Sequence, residues 1–200
     1  MTDPVPCPGC GRTYPAERFA AGRSLICACA ARVGVPLRTG AGDHGAPLRF
    51  AADAMLGGLA RWLRALGHDT TWEAEIADDE VVRRAVAGGR ALLTRDRGLA
   101  AEWWIDPLLL LRADAPLAQL AETAARFPLR GDRLFSRCLR CNVPLEPAGG
   151  ADVLARVPAD LRARQAVFHR CPRCTRVYWE GSHTARMRDD IAAVLGPTPG

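Results

Sequence analysis

Between residues 48 and about 130, short apolar runs alternate with segments whose apolar residues recur at helical spacing. Leu48-Arg49-Phe50-Ala51-Ala52 predicts a short strand ending at Asp53. Leu56, Leu59, Leu63 and Leu66 then mark a helix, with Gly67 as its C-cap and Arg61 and Arg64 three apart on one face. His68 to Trp72 reads as a second strand. Asp78 or Asp79 is placed to cap a helix that runs through Val82, Ala85 and Val86 to Gly88-Gly89. Ala91-Leu92-Leu93-Thr94 is a buried strand, and a short helix covers Leu99 to Trp104. Leu108 to Leu111 forms a further buried strand. Leu117, Leu120, Ala121, Ala124 and Phe127 mark the last helix. The order βαβαβαβα implies a parallel sheet with helices on both faces.

This pattern stops at both ends, where cysteines take over. The chain divides into an N-terminal cysteine module at 1–36, a Gly-rich linker at 37–47, the α/β core at 48–130, a second cysteine module at 131–188 and a tail at 189–200 whose end, Gly196 to Gly200, is expected to fray. No apolar run reaches the roughly 20 residues of a membrane span. Met1-Thr2-Asp3-Pro4 leads into a cysteine pair and not into an apolar signal segment, so a cytoplasmic protein with no membrane partner is expected. Thiols stay reduced there, and eight cysteines in close pairs then point to metal and not to disulfides.

Cys138-Leu139-Arg140-Cys141 and Cys171-Pro172-Arg173-Cys174 are CxxC knuckles. Each turns two thiolates toward one ion, and two knuckles complete a tetrahedron. Four sulfur ligands leave no open position, so this zinc is expected to be structural. The N-terminal set, Cys7, Cys10, Cys27 and Cys29, joins one CxxC to a tighter CxC and suggests a second structural zinc. Modules this small depend on the metal for most of their stability.

The net charge is +5, and all basic side chains are Arg. Without Lys the chain has no P-loop, which needs a Lys on the phosphates, and no receiver-type phospho-acceptor site. Arginine grips phosphate bidentately, which suits a polyanionic partner.

Asp53, Asp96 and Asp114 each follow a strand, and Asp78, Asp79 and Glu80 open the second helix. In a parallel sheet those strand ends share one edge, where open α/β proteins place their sites. Carboxylates converging there call for a hard cation, Mg²⁺ or Mn²⁺. No GxGxxG follows the first strand, and the DxD of a phosphatase is absent.

The run Phe50 to Thr70, with Asp53-Ala54-Met55-Leu56-Gly57-Gly58-Leu59-Ala60-Arg61-Trp62-Leu63-Arg64 at its heart, resembles the opening of the PIN-like ribonuclease family known as the mutator-seven C-terminal (Mut-seven-C) RNase domain. So do Arg90 to Arg97, the two C-terminal knuckles, and Val177-Tyr178-Trp179-Glu180-Gly181-Ser182-His183. The resemblance implies a PIN-like three-layer parallel-sheet core with a C-terminal zinc ribbon, and metal-dependent cleavage of RNA. Asp53 matches the first acid of the family and Asp96 the acid of its Thr-x-Asp motif. The helix-two acid falls at Asp79 or Glu80, and Asp114 is a fourth candidate. The N-terminal cysteine segment departs from the family's usual ubiquitin-like start.

The function expected is a divalent-metal-dependent endoribonuclease, with Arg61, Arg64, Arg95 and Arg97 on RNA phosphates. The alternative is a non-catalytic RNA-binding or protein-interaction adaptor built on its zinc ribbons. Trp103-Trp104 is read as core or domain contact, and His183 as a hydrogen-bonded structural residue.

Overall fold

The structure is a computed structural model describing residues 3–42, 45, 47–150, 153, 155–158, 162 and 167–196. Asp43, His44 and Ala46 of the expected linker, and the end of the expected frayed tail at 197–200, lie outside the described residues. The chain divides into two compact units, Met1–Gly57 with Thr70–Arg112, and Gly58–Asp69 with Ala113–Gly200.

In the first unit, β1 (Val5–Pro6) pairs antiparallel with β2 (Thr13–Tyr14), and β3 (Ser24–Ile26) with β4 (Arg32–Gly34). These two small hairpins carry the N-terminal cysteines. β5 (Leu37–Arg38) follows, inside the segment expected to be linker. Next come β6 (Phe50–Ala52), a 3₁₀ turn at Ala54–Leu56, α1 (Gly57–Ala65), β7 (Thr70–Thr71), α2 (Asp78–Ala87), β8 (Ala91–Thr94), α3 (Arg97–Glu102), β9 (Ile105–Asp106) and β10 (Leu108–Leu110).

The sheet is four-stranded and parallel, in the order β10-β8-β6-β7. Its central strands read as unbroken apolar runs because both faces are covered: all of β6 and β8 is buried. Ala51 and Leu92 share a core with Val81, Val82 and Ala85 of α2 and Leu99 of α3. The apolar positions that predict α2 are therefore the ones it buries. Asp78, expected as a possible cap, is instead the first residue of α2, and Ala77 takes the N-cap position without a side-chain bond.

The N-terminal module docks on the α3–β9 segment. β5 runs parallel to β9, and the Leu37 N–H donates to the Trp104 carbonyl at 2.8 Å. The Trp104 N–H donates to the Gly22 carbonyl at 2.8 Å, and the Arg23 guanidinium lies 4.3 Å over the Trp103 ring. Ser24 Oγ donates to the Ala101 carbonyl, Arg32 donates to that of Ala100, and Arg23 pairs with Glu102. Trp103 and Trp104 are thus the contact between module and core.

The second unit holds most of α1, α4 (Pro116–Arg126), a three-stranded antiparallel sheet of β11 (Glu146–Ala148), β12 (Phe168–Arg170) and β13 (Val177–Tyr178), and α5 (Ser182–Leu195). Pro116 opens α4 at a position whose N–H would have no helical partner. Gly67 ends α1 at φ +88°, its N–H on the Arg64 carbonyl, and a Cβ there would stand 2.5 Å from the Arg133 carbonyl oxygen. Only glycine suits that turn. α5 packs on α4 and continues to Leu195, past the boundary expected at 188. Among the described residues no helix is long and apolar enough to cross a membrane.

Candidate active site and metal centres

Read along the sheet as β7-β6-β8-β10, the strands have chain order 2-1-3-4, so the connection reverses direction between β6 and β8. A reversal of this kind opens a crevice beyond the C-terminal ends of the two strands. Asp53 follows β6 and Asp96 follows β8, so both flank it.

Asp53 is 4% exposed and caps the 3₁₀ turn, its Oδ1 accepting the Ala54 N–H at 2.6 Å. Its Oδ2 accepts from Thr94 Oγ1 at 2.6 Å, and Thr94 is itself fully buried. The same Oγ1 accepts the Asp96 N–H at 2.9 Å. Asp96 caps α3, with Oδ1 accepting from the N–H groups of Gly98 at 2.6 Å and Leu99 at 3.3 Å. Both carboxylates are therefore cap residues held by backbone donors. That role coexists with a position at the crevice.

The three acids at the start of α2 part company. Partial burial raises the Asp78 carboxyl above the ordinary range, and the charges of Asp53, Asp96 and Asp79 add to the rise. Asp78 is exposed at the start of α2, near enough to Asp53 and Asp96 for their charges to act on it. Glu80 faces its own helix: Arg83 and Arg84 both bind it at 2.6 Å and pull it down to about 2. Asp79 Oδ1 accepts the Glu80 N–H at 2.9 Å. The sequence places Asp78, Asp79 and Glu80 together at the start of this helix, and the family resemblance points to Asp79 or Glu80 among them. Asp114 lies in the second unit, exposed ahead of α4, where its carbonyl accepts from Gln119 Nε2 at 3.1 Å.

The arginines also divide. Arg95 and Arg97 join Leu110, Leu111 and Arg112 around a cavity of about 410 Å³ at the ends of β8 and β10. Arg61 is exposed on α1, its Nη2 3.3 Å from His183 Nε2, so His183 is hydrogen-bonded as expected. Arg64 does not share that exposed face. It is 4% exposed, and its Nη1 donates to the carbonyls of Leu139 at 3.0 Å and Arg140 at 3.1 Å, inside the first C-terminal knuckle. Burial lowers its pKa, while the charges of Cys138, Cys141 and Asp69 favour its charged form.

Among the described residues, metal-binding side-chain atoms converge within 4.8 Å of one another in two groups: Cys7, Cys10, Cys27, Cys29 and Cys138, Cys141, Cys171, Cys174. Sulfur separations of 3.4, 3.6 and 3.8 Å occur across them. A Zn–S bond of about 2.3 Å gives a tetrahedral edge of about 3.8 Å, so both sets fit zinc. In each CxxC the first Cys N–H bonds the carbonyl five residues on, as in Cys7–Arg12, Cys138–Val143 and Cys171–Arg176. A left-handed residue closes the turn at Gly11, Asn142 or Thr175. The CxC is one residue tighter, Cys27 bonding Ala31 with Ala30 left-handed.

Each set also has a tyrosine on one sulfur: Tyr14 on Cys27 and Tyr178 against Cys138, both at 3.1 Å. The Cys29 backbone N–H and then Tyr14 bring Cys27 down to about 6. Burial pushes Cys138 up, but hydrogen bonds from Tyr178 and the N–H groups of Cys141 and Arg140 outweigh it and bring it to about 7. Donors of this kind favour thiolates and hold them in place.

No curated protein and no solved structure matches the chain. A family model described as Mut7-C RNAse domain matches residues 48–191, which takes in the parallel sheet, the Asp53–Asp78–Asp96 edge and the C-terminal cysteine set, and leaves the N-terminal set outside. The match spans well over half of the sequence, and the chain belongs to the Mut7-C RNAse domain family.

Proposed function

We propose that this protein is a divalent-metal-dependent endoribonuclease with a PIN-like core, and that Asp53, Asp78 and Asp96 form its catalytic edge. One observation carries the reading: Asp53 and Asp96 stand at the C-terminal ends of the neighbouring strands β6 and β8, tied to one Thr94 hydroxyl. Their charges reach Asp78 at the start of α2, a crowding of like charge that a cation relieves. Among the described residues the acids are not in the groups whose metal-binding atoms converge within 4.8 Å. Mg²⁺ or Mn²⁺ is the ion proposed, since Mg²⁺ keeps several waters and takes only one or two carboxylates directly. Such an ion, when bound, would lower the pKa of water and offset charge at a cleaved phosphodiester.

The remaining work falls to the chain's own groups. Thr94 fixes the Asp53 carboxylate and, through its bond from the Asp96 N–H, ties the two acids to one hydroxyl. Asp79 adds charge to the cluster, and Arg95 and Arg97 offer guanidinium forks to RNA phosphates beside it. Arg61 is exposed on α1 and offers a further guanidinium to an RNA phosphate. Arg64 is left out, because its donors are spent on the knuckle.

The test is Mn²⁺-dependent cleavage of total RNA by the full chain. Asp53→Asn and Asp78→Asn should abolish cutting. Asp53→Asn should do so at some loss of melting temperature, because its amide cannot accept from both Thr94 and Ala54. Asp78→Asn should melt near wild type or higher, and Glu80→Gln should still cut. A chain that binds RNA without cutting it under any divalent ion would favour the adaptor reading. Full activity in Asp53→Asn would remove the site.

A further inference from the structure

We infer that Trp72 is a stacking platform for the nucleobase beside the scissile phosphodiester. The inference rests on the reading of the acid edge as the cleavage site. Trp72 directly follows β7, which runs parallel to β6 with Thr71 opposite Ala51. It therefore stands at the same C-terminal sheet edge as Asp53, one strand across and level with the end of β6. A single residue couples the two. The Ala54 N–H donates to Asp53 Oδ1 at 2.6 Å, and the Ala54 carbonyl accepts from Trp72 Nε1 at 2.8 Å. The one polar atom of the ring is satisfied there, and the rest of the indole is apolar.

Gly57 fixes how the ring lies. A Cβ at Gly57 would stand 2.6 Å from Cζ2, 2.9 Å from Cε2 and 3.1 Å from Cη2 of Trp72. Similar distances to three adjoining ring atoms put Gly57 against the face of the ring and not its edge. The Gly57 backbone is right-handed helical, with φ −57° and ψ −35°, so the indole and not the backbone requires glycine. With one face on Gly57, the 36% of Trp72 that stays exposed belongs to the other face and the rim. Met55, in the same turn as Ala54, is 55% exposed. Ile26, Val35 and Val167, the other large apolar side chains exposed among the described residues, lie in the cysteine modules. The open apolar surface of the sheet region is thus beside Asp53. Two side chains fall far short of the roughly 1,000 Å² of a stable protein interface, but they suffice for one base. Stacking asks for a held, flat π-surface and no particular hydrogen bonds, and an unpaired nucleotide of any sequence offers the matching face. A base seated on Trp72 would bring its own phosphodiester to the acids.

Binding tests this without cleavage. The full-length wild-type chain, with no divalent ion added, is titrated with a short single-stranded oligoribonucleotide and with copies lacking one base at each position in turn. An abasic copy keeps every phosphate, so contacts to the backbone are retained. One position should cost roughly tenfold in affinity, the scale of one stacked base. In Trp72→Leu the same abasic copy should bind as well as the intact strand, and Trp72→Phe should recover part of the difference. This coupling between one base and one side chain is what a purely structural Trp72 would not show. Gly57→Ala keeps the indole but displaces it from its seat, and should act like Trp72→Leu. Absence of any sensitive position in wild type overturns the inference. So does a penalty of unchanged size in folded Trp72→Leu, which would leave this face to a protein partner. RNA cut under Mn²⁺ with no coupling of base to Trp72 defeats the platform and spares the nuclease. Coupling in a protein that cuts under no divalent ion keeps Trp72 on a base and removes the nuclease.

Discussion

The Thr94 hydroxyl donates to Asp53 Oδ2 at 2.6 Å while accepting the Asp96 N–H at 2.9 Å, so one buried oxygen joins the acids at the ends of β6 and β8. Thr94→Val keeps the shape of the side chain and removes both bonds. A buried carboxylate oxygen and a backbone N–H then lose their partner, at a cost of about 1–3 kcal/mol. Melting should fall by roughly 2–10 °C. Cleavage should fall further than stability explains, because Asp53 is no longer held toward the crevice. Thr94→Ser should restore both. Thermal melting beside the Mn²⁺ cleavage assay decides it, and a Val variant with wild-type cleavage would show that Thr94 serves the fold alone.

Arg61 and Arg64 make opposite predictions. Arg64 donates to two knuckle carbonyls, and its charge lies near the Cys138 and Cys141 sulfurs. Arg64→Leu should therefore destabilise the protein by about 2–4 kcal/mol and weaken zinc retention roughly 10–100-fold, as loss of an outer-shell partner does. Arg61→Ala should leave melting and zinc unchanged and weaken RNA binding modestly. Chelator-release kinetics and melting separate the pair. Normal zinc retention in Arg64→Leu would remove Arg64 from the metal's surroundings.

Much of this was legible in the sequence. The central strands β6 and β8 announced themselves as short apolar runs, because strands buried on both faces need no alternation, and each cysteine set came together as its spacing implied. What escaped was side-chain direction within a turn. Arg61 and Arg64 are three apart, yet one meets solvent and the other carbonyls supplied by Leu139 and Arg140, far along the chain. Asp78 and Glu80 are two apart, yet Glu80 is bound by Arg83 and Arg84 while Asp78 feels the charges of Asp53 and Asp96. Leu37–Arg38 sits in a Gly-rich segment and becomes a strand only because β9 lies beside it. Long-range partners of this kind leave no local signal.

Zinc content follows from the two sulfur tetrahedra. Purified protein should hold two zinc ions per chain. Cys171→Ser should lose one and unfold the sheet of β11–β13, since binding and folding of such a module are one equilibrium. Cys27→Ser should lose the other and loosen the contact of Trp103 and Trp104 with the N-terminal module, which tryptophan fluorescence reports. Elemental analysis showing one zinc in wild type would mean the CxC set is not a metal site.

Asp78 and Glu80 should respond to pH with opposite sign. The folded-state pKa of Asp78 is raised, by burial first and then by Asp53, Asp96 and Asp79. The folded protein therefore holds this proton more tightly than the unfolded chain, and stability falls as pH rises from the ordinary Asp value, about 3.9, through the raised one. The full penalty stands at neutral pH. Asp78→Asn should raise the melting temperature at pH 7 without divalent ions, and the gain should fade in acid below the ordinary value. Glu80 is depressed to about 2, by its bonds from Arg83 and Arg84. Its contribution is present above the ordinary Glu value, about 4.3, and is lost as pH falls from there through about 2. Glu80→Gln should then lower the melting temperature at pH 7, by an amount that shrinks steadily as pH falls from about 4 toward 2. Mn²⁺ completes the contrast. It should stabilise wild type and Glu80→Gln alike, because the crowded acids remain, and stabilise Asp78→Asn much less. Equal Mn²⁺ stabilisation of all three proteins would take Asp78 out of the acidic edge and return the helix-two acid to Asp79.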